Sequence, residues 1–226
     1  MKFKVVFYSV MFLFFSFPVG LVTWAILSEP KIPHDAVVHL QVSLVGSDLS
    51  ASGTGVAISP NLILTAGHIC MSPGLKMGDL EVEGNGRKLL ITKVDVKKDL
   101  CLLYSDKKLP GYIKLAKRDV VRDDVAMVIG YPRGVNVQII TQGMYAGLDI
   151  AFVQHLPIHL MDVYSVQAAP GNSGSPILND NMELIGIVSA VNAKYSQITF
   201  SVPMNDIVSF MASLDSDLEY VEEVDE

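Results

Sequence analysis

Between Val37 and Val202 the chain never sustains a long apolar run: short β-branched stretches alternate with glycine, proline, asparagine and aspartate. A globular helix needs roughly ten or more residues of 3.6-residue periodicity, whereas a strand needs only about four to eight. The texture therefore reads as strands joined by turns, at Val37–Val45, Thr54–Ser59, Leu62–Thr65, Lys88–Val96, Leu100–Tyr104, Val125–Ile129, Val135–Met144, Ile177–Leu178, Leu184–Val191 and Ile198–Val202. Many short strands with turn signals between them make an all-β barrel or sandwich. Only Asn205–Leu214 reads as a soluble helix, because Ile207, Val208, Phe210, Met211 and Leu214 recur at helical spacing.

The ends of the chain have a different character. Lys2 and Lys4 precede an uncharged run from Val5 to Leu27, in which only Tyr8, Ser9, Ser16 and Thr23 are polar. That run can cross a hydrocarbon core as a helix. It ends Trp24-Ala25-Ile26-Leu27, without the small-x-small pattern of a cleavage site. Residues 1–30 are therefore expected to be an uncleaved signal anchor, in preference to a cleaved signal that would release the protein. The lysines before the span place the N-terminus in the cytoplasm and the rest outside, in the periplasm if the cell is Gram-negative. Residues 215–226 carry seven acids, which account for the whole formal net charge of −7, and no Lys or Arg follows Lys194. An acidic tail disfavours nucleic acid and anionic lipid, and it is expected to be solvated and disordered. One span before a long β-rich remainder excludes a channel or transporter.

Chemistry concentrates in three places. Ala169-Pro170-Gly171-Asn172-Ser173-Gly174-Ser175-Pro176 sets a serine in a tight turn between two glycines, which allow backbone shapes that a Cβ would block. A nucleophilic serine needs an exposed Oγ and backbone N–H groups aimed at a developing oxyanion, here those of Gly171 and Ser173. Leu64-Thr65-Ala66-Gly67-His68 ends an apolar strand with an imidazole, the side chain suited to take a hydroxyl proton near neutrality. Asp99 directly precedes the apolar run Leu100–Leu103, an expensive place for a carboxylate unless it meets an ionic or hydrogen-bonding partner. Holding the imidazole's other nitrogen would satisfy it and fix the tautomer. Asp95 and Asp106 are its local rivals. His34, His39, His155 and His159 fit structural roles, and no metal site or cofactor is expected.

These residues resemble the trypsin/chymotrypsin-like serine peptidases, in which His68, Asp99 and Ser173 stand in the family's chain order. The similarity runs from about Val37 to Leu214. Ser52-Gly53-Thr54-Gly55-Val56-Ala57-Ile58-Ser59, Ile129-Gly130-Tyr131-Pro132 with Ile140-Thr141-Gln142-Gly143, Gly186-Ile187-Val188-Ser189 and Phe200-Ser201-Val202-Pro203 are most similar to the bacterial HtrA/Deg-like branch. The resemblance implies two packed six-stranded β-barrels within residues 31–214, about 36–117 and 118–204, with a C-terminal helix at 205–214. His68 and Asp99 would come from the first barrel, Ser173 from the second, and the active site would be the cleft between them. The PDZ module that follows the protease in HtrA enzymes is not expected here, so regulation through it does not carry over. Asn172 stands where animal trypsins use an aspartate to receive a new N-terminus, so zymogen activation of that kind is not expected.

By the same resemblance Gln167 lies near the floor of the primary pocket, and Ser189, Ala190 and Val191 form its wall. With no carboxylate at the floor, and Val188 where glutamate-specific relatives have histidine, a small or medium apolar residue is expected before the cut. The implied activity is hydrolysis of protein or peptide substrates through an acyl-enzyme at the membrane. A catalytically silent protease-like binding protein is the alternative. Cys70 and Cys101 each lie two residues beyond a triad candidate, so a disulfide and a pair of buried free thiols both remain open.

Overall fold

A computed structural model describes residues 31–71, 74, 76–151, 159–192 and 194–222. β1 (Val37–Leu44), β2 (Ser50–Ala57), β3 (Leu62–Ala66), β4 (Leu80–Gly84), β5 (Arg87–Asp95) and β6 (Leu100–Tyr104) close into one barrel in the order β1-β2-β3-β6-β5-β4. β7 (Val125–Gly130), β8 (Ile139–Ala151), β9 (His159–Tyr164), β10 (Pro176–Leu178), β11 (Leu184–Val191) and β12 (Thr199–Val202) close a second, in the order β7-β8-β9-β12-β11-β10. The all-β expectation and the two six-stranded barrels are therefore as expected. One helical turn, α1 (Gly67–Cys70), follows β3, and a long helix, α2 (Met204–Glu222), follows β12.

Local chemistry accounts for these elements. β4 and β5 are joined by Asn85-Gly86, both at positive φ, the two-residue turn whose twist matches antiparallel strands. Each barrel has its own apolar filling: Leu40, Ile63, Val82 and Leu103 in the first, and Val128, Tyr164, Ile177 and Val188 in the second. A third cluster joins the barrels, with Leu64 and Leu100 from one side, Ile129, Leu178 and Ile187 from the other, and Ile207 and Phe210 of α2. The helix is also tied to the first barrel, where Lys98 Nζ donates to Ser209 Oγ and Lys93 Nζ to Ser213 O.

The structure corrects several expectations. β4 and β9 are additional strands, and β8 begins at Ile139 and continues to Ala151. Helix α2 runs eight residues past Leu214, so 215–222 are helical rather than disordered tail. In sequence, Leu214, Leu218 and Val221 continue the four-three spacing begun by Ile207 and Met211, and the acids between them do not interrupt it. Val208, included in the apolar face by spacing, is exposed. The expected membrane span at 1–30, His155 and residues 223–226 lie outside the described residues. Among those described, no helix is long and apolar enough to cross a membrane.

Candidate active site

Strand register brings the histidine and the aspartate together. β3 pairs with β6 so that Thr65 faces Cys101 and Ala66 faces Leu100. The next residues on each strand, Gly67-His68 and Asp99, therefore lie side by side at the barrel's end. Asp99 is fully buried and takes a positive φ of 55°. Its carboxylate accepts the His68 backbone N–H at 2.8 Å and the His68 ring Nδ1 at 3.0 Å from both oxygens. A carboxylate oxygen accepts, so Nδ1 is the donor here, and in the neutral imidazole Nε2 then keeps its lone pair. The His68 side chain is 34% exposed and lines the same cavity as Ser173. Cys70 and Cys101 form a disulfide, with Cα atoms 6.3 Å apart, which ties α1 to β6 beside this pair.

A third donor completes the carboxylate's surroundings. Ser189 Oγ donates to Asp99 Oδ2 across the barrel interface. The β11–β12 register shifts between Val188 and Ala190, and such a bulge re-aims the residue within it. Ser189 was expected only as part of the substrate wall. Its hydroxyl also serves the aspartate.

Ser173 comes from the loop between β9 and β10. The Gly174 N–H donates to Val188 O at 2.7 Å, and the Val188 N–H to Ser175 O at 2.9 Å, which stitches the loop to β11. Gly174 has φ +83°, and a Cβ there would stand 2.1 Å from Thr54 O and Thr65 Oγ1, so no other residue fits. The Ser173 carbonyl accepts the Thr54 N–H at 2.9 Å, a bond between the barrels. On the other side, Pro170 O accepts the Arg133 N–H at 2.5 Å. A trans peptide points its C=O and N–H in opposite directions, so the Gly171 N–H faces away from the Tyr131–Arg133 segment. Gly171, Ser173 and His68 border one cavity.

Thr54 was not singled out by sequence, yet it organises this loop. Fully buried, it donates its hydroxyl to Gly171 O at 2.9 Å and accepts the Tyr131 N–H at 3.1 Å. A hydroxyl between two glycines on a buried strand was the available signal. Asn172 Oδ1 and Ser175 Oγ are also buried here, without a hydrogen-bond partner among the described residues. Gln167 is exposed, and its carbonyl accepts from Thr141 Oγ1 at 2.6 Å. Ala190 and Val191 are half-buried on β11, opposite Phe200 and Thr199. Among the described residues no three His, Cys, Asp or Glu side chains converge as a metal site would need.

Known proteins share this fold. The family described as trypsin-like peptidase domain matches residues 53–187. The active form of the Rv3671c protease from M. tuberculosis superposes with a TM-score of 0.66 at 20% identity, over 90% of this chain and 93% of that one. The HtrA-type protease AlgW, with a tripeptide, gives 0.67 at 26% identity, over 81% of this chain and 61% of AlgW. The serine endoprotease from Yersinia pestis gives 0.63 at 24%, over 82% and 65%. The chain thus spans less than two thirds of the last two. Because the family match covers more than half of the sequence and includes both sides of the cleft, the chain belongs to the trypsin-like peptidase domain family, resembles its HtrA-type members and is a serine endopeptidase by class.

Proposed function

We propose that Ser173 is the nucleophile of a membrane-anchored endopeptidase, with His68 as its base and Asp99 as the group that orients the base. The pairing of the buried Asp99 carboxylate with His68 Nδ1, beside the Ser173 loop, carries this reading. Ser173 Oγ attacks the scissile carbonyl while His68 Nε2 takes its proton, and the Gly171 and Ser173 N–H groups receive the oxyanion. The imidazolium then returns the proton to the leaving amine. An ester on Ser173 is left; His68 takes a proton from the water that attacks it and returns that proton to Ser173 Oγ as the acid leaves. Asp99 stabilises the imidazolium without taking the proton itself.

Gln167, Ser189, Ala190 and Val191 frame the pocket for the residue before the cut, with a small or medium apolar side chain preferred. A peptide panel varied only at that position checks this, and a winning Arg or Glu would refute it. The domain works outside the cytoplasm, anchored by residues 1–30. The Cys70–Cys101 disulfide supports that placement, because such bonds persist in oxidising compartments.

The test is a fluorophosphonate probe on the full-length protein in membranes. Wild type labels, and Ser173→Ala and His68→Ala do not. A folded wild type that fails to label would replace the peptidase reading with a silent binding role.

A further inference from the structure

A cavity of about 490 Å³ opens on the first-barrel side of Ser173. The end of β1, the start of β2, the turn between them and α1 wall it, and His68, Gly171 and Ser173 form its inner rim. Its apolar surface comes from Val42, Leu44, Leu49, Ile69, Met71 and Leu80, and among the described residues no Asp, Glu, Lys or Arg lines it. The volume falls within the range of small-ligand sites, roughly 300–1,000 Å³. Leu49 is 70% exposed in the β1–β2 turn. That turn is closed by a backbone bond from Leu44 N–H to Leu49 O, which makes no demand on the side chain. Leu49 therefore serves the cavity's mouth and not the core.

The chemistry of the cut decides which half of a peptide enters. The acyl half must reach the Gly171 and Ser173 N–H groups and lie along β11. None of Gln167, Ser189, Ala190 and Val191, the residues flanking that path, lines this cavity. The leaving amine takes its proton from the imidazole and so departs over His68, which stands in the cavity wall. A charged side chain there would shed water against apolar groups with no counter-ion. We infer that the cavity is the leaving-group subsite and selects a large apolar side chain within the two residues that follow the scissile bond. This rests on the peptidase reading above and adds a substrate requirement to it.

The test uses the full-length chain and internally quenched peptides with one fixed acyl half, varied at the two positions after the cut. Leu, Met or Phe exceeds Ala there by about tenfold in kcat/KM, and Asp and Lys fall below Ala. Leu49→Lys moves the preference toward Asp and Glu by about tenfold. It is read as a ratio between peptides within one enzyme, so that any change in folded fraction cancels. A flat profile, a preference for Gly or for charge, or an unmoved ratio in the variant overturns the subsite while leaving the peptidase reading intact. If no peptide is cut in a Ser173-dependent way, the peptidase reading fails and takes the subsite with it.

Discussion

Thr54 shows how one side chain can govern a loop it does not belong to. Its hydroxyl holds the Gly171 carbonyl and takes the Tyr131 N–H, while its own N–H holds the Ser173 carbonyl. Thr54→Val keeps the shape and leaves two backbone groups unpaired, the buried Tyr131 N–H and the partly buried Gly171 carbonyl, a loss of about 1–3 kcal/mol. Because the loop carries the proposed oxyanion donors, kcat is expected to fall roughly tenfold with KM little changed. Thr54→Ser keeps the hydroxyl and restores both. A Thr54→Val enzyme with wild-type kcat would show that the hydroxyl has no hold on catalysis. Ser189→Ala is expected to act through the aspartate: the buried carboxylate keeps its two His68 contacts but loses its third donor, and the rate falls roughly tenfold. Steady-state kinetics with unchanged preference before the cut separates that effect from damage to the wall. The meeting of His68 and Asp99 was legible because each is a polar group at the edge of an apolar run. The contact from Ser189 was not, because a bulge decides where its hydroxyl points and leaves no mark in composition.

At the scale of elements, the disulfide and the β3–β6 ladder hold the same corner by different means. The ladder pairs Ala66 with Leu100, and the Cys70–Cys101 bond crosses from α1 to β6 beyond it, closing a loop of sequence separation 31. Loop-closure entropy for a cross-link of that span amounts to about 3–4 kcal/mol. The ladder and the His68–Asp99 bonds already position the imidazole. Cys70→Ala with Cys101→Ala is therefore expected to lower stability by about that amount while leaving most activity at temperatures well below unfolding. Urea melts and peptide cleavage check the two halves, and activity lost with unchanged stability would mean that the bond positions the imidazole directly. The same scale explains what sequence reading missed. Leu80–Gly84 is short and carries two glutamates, and His159–Tyr164 carries an aspartate facing inward, so neither looks like a buried strand. In β8, Gly147 looks like punctuation beyond the expected end at Met144, yet the strand passes it, with a register shift between Tyr145 and Gly147. Pairing with neighbours, which no local pattern records, keeps these segments extended.

For the whole molecule, the cost of one buried carboxylate appears in global stability. Asp162 on β9 is 4% exposed, near the start of α2. Burial raises its pKa from 3.8 to about 6; the Tyr145 hydroxyl, 3.0 Å away, pulls it back, and Asp119 and Asp206 push it further up. Between those two values the folded chain keeps a proton that the unfolded chain has released. Stability from this group is therefore full below pH 3.8 and is lost as the pH rises through about 6. The total is about 3 kcal/mol. Asp124, held below its ordinary value by hydrogen bonding to Arg118, acts oppositely and loses its contribution as the pH falls through that lowered value. The acidic C-terminal stretch also favours lower pH through general repulsion, so the wild-type profile alone does not isolate Asp162. Asp162→Asn does: it is expected to gain up to about 3 kcal/mol at pH 7.5 and to lose that advantage near pH 4. Urea unfolding across that range measures it. Parallel profiles for the two proteins would assign the pH dependence to surface charge, and converging profiles would assign it to the carboxylate between the second barrel and its helix.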